Sequence, residues 1–291
     1  MISLRASPGL TPNIGVVPKR PTIVLVHAHP DDEASSTGGT IAHYAAHGAR
    51  VILVTCTNGE LGDSPQGLAP DHDDHDTDAV VAHRLEELEA SCDILGVERL
   101  VLLGYHDSGM MGWPQNDNPE CFWQTPVDVA ASRLAEILDE EDADVVITYD
   151  ENGFYGHPDH IQANRITLRA LELASVDPKL YYATIARSAF DRMGEMLEAA
   201  GVERPEPEEP EEERVEMGTD DALIGAVIDV TDYTDLKRAA LMAHASQTAS
   251  SFFLQVPEEM FRAMFVTEWF VRVQDPTGQS GVEDDLLAGI A

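Results

Sequence analysis

Five short apolar runs, separated by helical patterns, limit the folds open to this chain more than any other feature of its sequence. The runs are TIVLVHA (22–28), VILVTCT (51–57), RLVLLG (99–104), DVVITY (144–149) and a stretch near LYYATIA (180–186). Helical spacing covers residues 35–47, 78–95, 126–138 and 158–174. Strands that are apolar on both faces are typical of parallel sheets, and their alternation with helices predicts right-handed βαβ units. The sequence therefore predicts an α/β protein with three α/β/α layers and a Rossmann-like, mostly parallel sheet.

The segment 201–221 breaks this alternation, because it is rich in Pro and Glu. Its glutamates repel one another, and this composition cannot form a core. We expect an acidic surface loop there. A strand over 223–230, a helix from 233 to about 245 and a shorter helix or strand follow as a C-terminal elaboration. Residues 1–20 hold three prolines and no periodic pattern, which predicts an extended arm. The remaining residues, 21–291, are predicted to form one domain.

Acidic residues outnumber basic residues by 53 to 18, which gives a formal net charge of -35 at pH 7. Such a surface repels phosphate backbones and anionic lipids, so nucleic acids and membrane surfaces are not expected as partners. No run of about 18 apolar residues is present, so no membrane span is predicted, and residues 1–20 lack the apolar core of a secretion signal. Three cysteines in no paired pattern indicate a reducing compartment. We predict a cytoplasmic protein with a small-molecule partner, and a homo-oligomer is compatible with these features.

Two segments rich in histidine and aspartate each follow directly after a predicted strand. HAHPDDE (27–33) follows the first strand, and NGFYGHPDH (152–160) follows the fourth. Ligands of open parallel sheets bind at the carboxyl ends of the strands, so the two segments are expected to meet at one edge of the sheet. Their side chains would then form a single site although they are far apart in the sequence.

Two imidazoles and a carboxylate, from His29, Asp32 and His160, form a three-ligand set of the kind that a catalytic zinc ion uses. Such a site leaves a position open for water, and Fe²⁺ accepts the same donors. Asp31 is then available to take a proton from water, and His157 is a second titratable group beside the substrate carbonyl. Spacing alone leaves another interpretation open, because a single His-x-x-Asp pattern at a strand end commonly caps a helix or consists of polar side chains exposed to solvent.

These motifs, together with TYDENG (148–153), closely resemble those of the LmbE-like, or PIG-L, family of zinc-dependent N-deacetylases. The most similar group belongs to mycothiol metabolism and contains N-acetylglucosaminyl-inositol deacetylases and mycothiol S-conjugate amidases. The resemblance extends over most of the chain and includes HRLEEL (83–88), HASQ (244–247) and DLLAGI (285–290). It implies an LmbE-like fold and a hydrolase of linear amide bonds.

The resemblance also implies a role for each titratable residue of the two motifs. His29, Asp32 and His160 would bind zinc, and Asp31 would be the general base that activates water. His157 would stabilise the oxyanion of the tetrahedral intermediate or protonate the leaving amine. These roles together describe a hydrolytic site in which metal, base and oxyanion donor surround one carbonyl group.

Further residues are implied around this centre. Asp159 would hold the orientation of His157, and Tyr155 would be a mobile residue that closes on the carbonyl oxygen. The residues that match family positions in the sugar or cyclitol pocket, and are predicted to bind substrate, are Arg84, Asp107 and Gln247. The acidic segment DHDDHD (71–76) is expected to border the same pocket as a solvated loop, with a second metal site as the alternative.

The predicted reaction is hydrolysis of the N-acetyl group of an amino sugar of the N-acetylglucosaminyl-inositol type. ASSTGG (34–39) lacks the lysine that the amidase branch has there, which favours the sugar deacetylase, whereas TYDENG is closer to the amidases. An amidase of thiol conjugates and a deacetylase of a glycosylated secondary metabolite are therefore alternatives. A non-catalytic sugar- or metal-binding module is an alternative of another class, and Asp31 argues against it, because a binding module has no need of a base beside the metal.

Overall fold

The computed structural model describes residues 19–202, 217–248 and 252–290, and its centre is a seven-stranded sheet. The strands are β1 (Thr22–His27), β2 (Arg50–Thr57), β3 (Arg99–Tyr105), β4 (Val145–Thr148), β5 (Lys179–Thr184), β6 (Ala226–Asp229) and β7 (Thr267–Gln274). Their order across the sheet is β3-β2-β1-β4-β5-β7-β6. The first five strands run parallel to one another, whereas β7 is antiparallel to both β5 and β6. The mostly parallel sheet is therefore as predicted.

Helices cover both faces of this sheet. They are α1 (Asp32–Ala46), α2 (Thr77–Leu95), α3 (Val127–Glu140), α4 (Gly153–Gly156), α5 (Pro158–Leu173), α6 (Arg187–Ala199), α7 (Thr234–Ala243), α8 (Ala245–Thr248), α9 (Phe252–Gln255) and α10 (Glu258–Met264). Side chains of α1, α2, α6 and α7 belong to one core cluster, and those of α3 and α5 belong to the other. This arrangement confirms the three-layer α/β/α fold.

The side chains of β1 explain why the sheet needs helices on both faces. Ile23 and Leu25 lie in the core next to α1 and α2, whereas Val24 and Val26 lie in the core next to α3 and α5. All four side chains are buried. Because burying each one contributes about 1.5–3 kcal/mol, a strand that is apolar on both faces is stabilised only between two helical layers.

The strand order reverses between β1 and β4, and this reversal determines where a ligand can bind. The chain passes from β1 outward to β2 and β3, and it then returns to form β4 on the other side of β1. The connections that follow β1 and β4 therefore leave the sheet in opposite directions, which opens a crevice at the carboxyl ends of these two strands. Both histidine-rich segments follow directly after these ends.

Several boundaries differ from those predicted. The first helix begins at Asp32, three residues before the predicted start, and α6 follows β5 although no helix was predicted there. The predicted strand over 223–230 is limited to β6, because Asp221–Leu223 forms a 3₁₀ turn. The last predicted segment contains α10 followed by β7. Of the predicted arm and acidic loop, residues 1–18 and 203–216 lie outside the described residues. Within the described ranges, no helix is both long and apolar enough to cross a lipid bilayer.

A buried ion pair from the C-terminal elaboration bonds directly to the backbone of α1. Lys237 Nζ lies 2.6 Å from Glu268 Oε1 and donates a hydrogen bond to the carbonyl of Ser35 at 2.8 Å. The Glu268 carboxylate accepts hydrogen bonds from the N–H groups of Gly39 (2.9 Å) and Thr40 (2.8 Å). A Cβ atom on residue 39 would lie 2.7 Å from Val230 and 3.1 Å from Glu268 Oε1, so the close approach requires glycine. The pair thus joins α7 and β7 to the middle of α1.

Replacing Glu268 by Ala is expected to lower the free energy of unfolding by about 3–5 kcal/mol, because it leaves the buried Lys237 without its partner. Urea titration followed by circular dichroism measures this loss. The matched control is Glu258→Ala, which removes an exposed carboxylate 3.5 Å from Arg262 and should cost less than about 1 kcal/mol. Equal stabilities for the two variants would contradict the role given to the buried pair.

Candidate active site and metal centre

The three predicted ligands converge at the crevice between β1 and β4. Asp32 Oδ2 lies 3.3 Å from His29 Nδ1 and 3.4 Å from His160 Nε2, and all three side chains are buried. Neither ring nitrogen of His160 has a hydrogen-bond partner in the described part of the chain. Buried polar atoms without partners are rare, and two imidazoles facing a carboxylate are the donors that a divalent transition metal binds. The residues therefore fit a metal ion.

A third imidazole lies close to these ligands. The ligand atoms of His29, His157 and His160 lie within 4.8 Å of one another. Burial would raise the pKa of Asp32, but the facing rings of His160 and His29 outweigh this effect and hold the pKa of Asp32 well below its usual range. The centre thus combines one ionised carboxylate with several imidazoles.

Tyr149, at the end of β4, contacts two of the three predicted ligands. Its hydroxyl donates a hydrogen bond to Asp32 Oδ2 at 2.7 Å and accepts one from the N–H of Ala28 at 2.9 Å. Its ring stacks on the ring of His160, with a centroid distance of 4.1 Å and an interplanar angle of 13°. Sequence reasoning assigned no role to Tyr149, although it lies within TYDENG. The structure places it where it orients both a carboxylate and an imidazole.

Asp31 has an unusual backbone at the entrance to α1. Its φ of 125° is positive although the residue is not glycine, a conformation that costs on the order of 1–3 kcal/mol and is typical of functional sites. Its Oδ2 atom lies 3.1 Å from Nη2 of Arg84. Burial raises the pKa of Asp31 to about 6, against the opposing effect of the Arg84 guanidinium. A carboxylate with this pKa is suited to accept a proton near neutral pH.

Arg84, predicted to bind substrate, is largely occupied by contacts within the protein. It is buried on α2 and donates from Nη1 to the carbonyl of Gly59 (2.6 Å) and from Nη2 to that of Pro30 (2.5 Å). A Cβ atom on residue 59 would lie 2.5 Å from Nη1, so glycine permits the contact. The guanidinium therefore holds the loop that carries Asp31 and the carboxylate itself. Its Nε atom has no partner among the described residues.

His157 caps the start of α5, and this contact determines its protonation. Its Nδ1 atom accepts a hydrogen bond from the N–H of Asp159 at 3.1 Å, so the ring proton lies on Nε2. Burial and the neighbouring rings of His29 and His160 lower the pKa of His157 to about 2. The imidazole is therefore neutral at neutral pH, and its Nε2–H is the ring atom that can donate a hydrogen bond.

The Asp159 carboxylate lies near both His29 and His157, in a cluster with Asp107 whose ligand atoms are within 4.8 Å of one another. It was expected to orient His157, but its Oδ2 atom lies 3.3 Å from His29 Nε2 and accepts a hydrogen bond from the N–H of Ser108 at 2.9 Å. The hydrogen bond between Asp159 and His157 runs from the backbone N–H of Asp159 to Nδ1, and the orienting role of the carboxylate stays a prediction. The side chain thus orients a predicted metal ligand, an arrangement in which a carboxylate fixes the ring and raises its basicity.

Tyr155 lies at the rim of the site on the short helix α4. Its side chain is partly exposed, and its ring centroid lies 5.0 Å from that of His160 and 6.1 Å from that of His157. The preceding residue, Phe154, has a φ of 64° and interrupts the helix. The structure therefore brings Tyr155 to the edge of the predicted metal centre.

The other two predicted pocket residues differ in their contacts. Asp107 is buried, 3.8 Å from His29 Nε2, and accepts a hydrogen bond from the N–H of Gly109 at 2.8 Å. Gln247, on α8, donates to the carbonyl of Asp63 at 2.9 Å and accepts from its N–H at 3.2 Å. Asp107 thus lies beside the predicted metal ligand His29, whereas Gln247 joins α8 to the loop after β2.

A cavity of about 380 Å³ opens beside Asp31 and Asp32. Its largely apolar wall includes Phe154, Met193, Leu241, Phe253, Phe265 and Trp269. The acidic segment 71–76 is mostly exposed and not helical, and no potential metal-binding group was found there among the described residues. Its second histidine, His75, lies 2.9 Å from the carbonyl of Gly62. The solvated-loop interpretation of this segment is therefore favoured.

The chain is similar to known proteins over most of its length. The family model described as "GlcNAc-PI de-N-acetylase" (PIG-L) matches residues 24–171. A 1D-myo-inositol 2-acetamido-2-deoxy-alpha-D-glucopyranoside deacetylase from Acidothermus cellulolyticus is 43% identical over 282 residues, which cover 92% of this chain and 95% of that protein.

Two solved structures share the fold. N,N'-diacetylchitobiose deacetylase from Pyrococcus horikoshii has a TM-score of 0.55 at 21% identity, covering 86% of this chain and 82% of that one. The 4-carboxy-2-hydroxymuconate hydratase GalB from Pseudomonas putida KT2440 has a TM-score of 0.58 at 17% identity, covering 89% and 99%. Proteins with different reactions thus share this architecture, and the chemistry must be argued from the site.

Proposed function

Because this chain belongs to the PIG-L family of N-deacetylases, as its sequence motifs predicted, we propose that it removes the N-acetyl group of an N-acetylglucosaminyl-inositol substrate. The observation that carries the proposal is the convergence of His29, Asp32 and His160 with the carboxylate of Asp31 beside them. This set supplies a metal site and a base, which is what amide hydrolysis needs. The identity of 43% to a relative with that name supports the choice of sugar.

We propose Zn²⁺ as the metal, held by His29, Asp32 and His160. Two imidazoles and one carboxylate are typical ligands of catalytic zinc, although Fe²⁺ accepts them too. A metal ion bound there supplies Lewis-acid polarisation of the amide carbonyl and makes water acidic enough to lose a proton near neutral pH.

The protein's own residues then divide the proton transfers and charge stabilisation. Asp31 accepts the proton of the attacking water, and Arg84 holds its carboxylate in place. His157 donates from Nε2 to the carbonyl oxygen, which becomes an oxyanion when water attacks the carbonyl carbon, as the neutral state of the ring permits. Tyr155 lies near enough to His157 to close over the same oxygen. The protonated Asp31 can return its proton to the amine as the C–N bond breaks.

We propose that Asp107, Gln247 and Arg84 contribute to the sugar and cyclitol pocket. Asp107 is buried, with a carboxylate oxygen 3.8 Å from His29 Nε2, and Gln247 lines the cavity beside Asp31. Carboxylate and amide groups are suited to bind sugar hydroxyls. We further propose one catalytic domain over 21–291 in the cytoplasm, a location that the three buried, unpaired cysteines support.

A panel of substrates tests the proposed function. The zinc-loaded protein is assayed for primary amine released from N-acetylglucosaminyl-inositol, free N-acetylglucosamine and a mycothiol S-conjugate. We expect the highest kcat/KM on the inositol conjugate, by at least about tenfold over free N-acetylglucosamine, because the cyclitol supplies additional binding. Activity on the S-conjugate without activity on either sugar would make the protein an amidase. Binding of the sugars without amine release would make it a binding module.

Replacing Tyr149 by Phe is expected to lower the affinity for Zn²⁺ by about 10–100-fold, because it removes the hydrogen bond that orients Asp32. Competition with a chelating dye measures the dissociation constant. Tyr105→Phe is the control, since that ring stacks on Phe122. An unchanged zinc affinity in Tyr149→Phe would show that the hydroxyl does not position the ligand.

A further inference from the structure

A fully buried pair of titratable side chains lies behind Asp31, and the proposed reaction does not use it. Glu33 follows the two aspartates of the first motif, and His244 lies at the end of α7. Neither side chain is exposed to solvent. Burying charged groups is costly even when they are paired, so we asked what this pair contributes to the site.

Glu33 uses both of its oxygens. Its Oε2 atom accepts a hydrogen bond from the N–H of Asp31 at 3.0 Å. Its Oε1 atom accepts one from Ser91 Oγ at 2.5 Å and lies 2.7 Å from His244 Nε2. The carboxylate is thus fixed from α2 and from the end of α7, and its remaining oxygen points to the peptide group of the general base.

The backbone of Asp31 explains why such a contact matters. Its positive φ is unfavourable for a residue with a Cβ atom, and such conformations persist only where surrounding contacts enforce them. The carbonyl of Asp31 accepts hydrogen bonds from Ala34 and Ser35, and its carboxylate contacts Arg84. Its N–H has Glu33 as its acceptor. The direction of the Asp31 carboxylate follows from this backbone conformation.

We propose that Glu33, held by His244 and Ser91, is a positioning residue that fixes the peptide and carboxylate of Asp31 for proton transfer. The inference rests on the proposed function, in which Asp31 is the general base. It also gives the C-terminal elaboration a role in catalysis, since His244 reaches the first motif from 211 residues further along the chain.

Two substitutions at Glu33 separate positioning from other roles. Glu33→Ala is expected to lower kcat by about 100-fold, the effect of a displacement of about 1 Å in a reacting group, with KM and zinc content unchanged. Glu33→Gln keeps an oxygen acceptor and is expected to recover kcat to within about tenfold of the parent. His244→Gln keeps a hydrogen-bond donor to Glu33, whereas His244→Phe does not. We therefore expect a higher kcat for His244→Gln than for His244→Phe.

Glu283→Ala is the matched control for a purely structural effect. Glu283 is also a buried carboxylate, paired with Lys179 at 2.7 Å at the amino end of β5, the opposite end of the sheet from the site. We expect this variant to lose stability but to keep the kcat and KM of the parent. The two variants are compared under conditions in which the same fraction of each is folded. If Glu283→Ala then loses as much kcat as Glu33→Ala, the positioning role is wrong.

A crystal structure of zinc-loaded Glu33→Ala supplies a readout that does not depend on turnover. We expect the φ of Asp31 to leave the positive region or its carboxylate to move by about 1 Å, with His29, Asp32 and His160 in place. An unmoved Asp31, or a parent-like kcat, would overturn the inference. If the parent itself releases no amine from any substrate, the proposed function fails, whereas the crystallographic comparison still decides whether Glu33 positions Asp31.

Discussion

Replacing Asp31 by Asn is expected to lower kcat by about 10²–10⁴-fold, the usual contribution of a general base, while zinc content stays at the parent level. Asparagine has nearly the same shape as aspartate and keeps an oxygen that can accept from Arg84, but it cannot take a proton from water. Steady-state kinetics on N-acetylglucosaminyl-inositol and metal analysis of the same preparation measure the two quantities together.

Asp71→Asn is the control for this substitution. Asp71 is exposed in the loop after β2 and lies outside the candidate site, so the same chemical change should leave kcat and zinc content unaltered. If Asp31→Asn hydrolyses the substrate as fast as the parent, Asp31 is not the base. If it loses zinc, Asp31 contributes to metal binding instead.

Replacing His160 by Ala is expected to remove both the metal and the activity. The substitution deletes one of three proposed ligands, so the loss of zinc affinity should exceed the roughly 100-fold upper range for residues that only support a ligand. Without the metal, the several kcal/mol of carbonyl polarisation are lost, and amine release should fall to background. Metal analysis after dialysis measures the loss of zinc, and the release of primary amine from N-acetylglucosaminyl-inositol measures the loss of activity.

Chelation provides a second measurement of the same dependence. Treatment of the parent with a chelator should abolish amine release, and added Zn²⁺ should restore it, whereas His160→Ala should not respond at micromolar zinc. His47→Ala is the control, because His47 lies beyond the end of α1, exposed to solvent. Full activity in the chelated parent would exclude a metal-dependent reaction.

The position of the site could be predicted from the sequence because two general rules place it. Strands that are apolar on both faces require a parallel sheet, and the carboxyl ends of β1 and β4 meet where the strand order reverses. His29 and His160 follow these two ends. Their convergence therefore needed no knowledge of side-chain packing.

The contacts around the ligands could not be predicted in the same way. The Asp159 carboxylate, which the resemblance implies orients His157, also contacts His29, and the Arg84 guanidinium holds the carboxylate of Asp31. Each of these contacts joins side chains from different elements, so it depends on rotamers and on how helices pack, which spacing along the chain does not determine. Glu33 and His244 illustrate the same limit.

The unpredicted helix α6 has a weaker signal of its own. Ala189, Met193 and Leu197 recur every four residues and are buried, as a helix facing the core requires. Gly194 in the middle of this stretch lowers its helical propensity, and polar residues separate the apolar positions. The segment is therefore stabilised by packing against the sheet more than by its own sequence.

The hydrogen bonds of Lys237 and Glu268 to the backbone of α1 have a consequence for the order of folding during synthesis. A nascent chain that has emerged only as far as α5 already contains every proposed ligand, yet it lacks Lys237 and Glu268, which bond to the peptide groups of Ser35, Gly39 and Thr40. The first turn of α1 carries Asp32, so the geometry of this ligand depends on residues synthesised well after the ligands themselves. Tight metal binding should therefore require α7 and β7 to be folded onto α1.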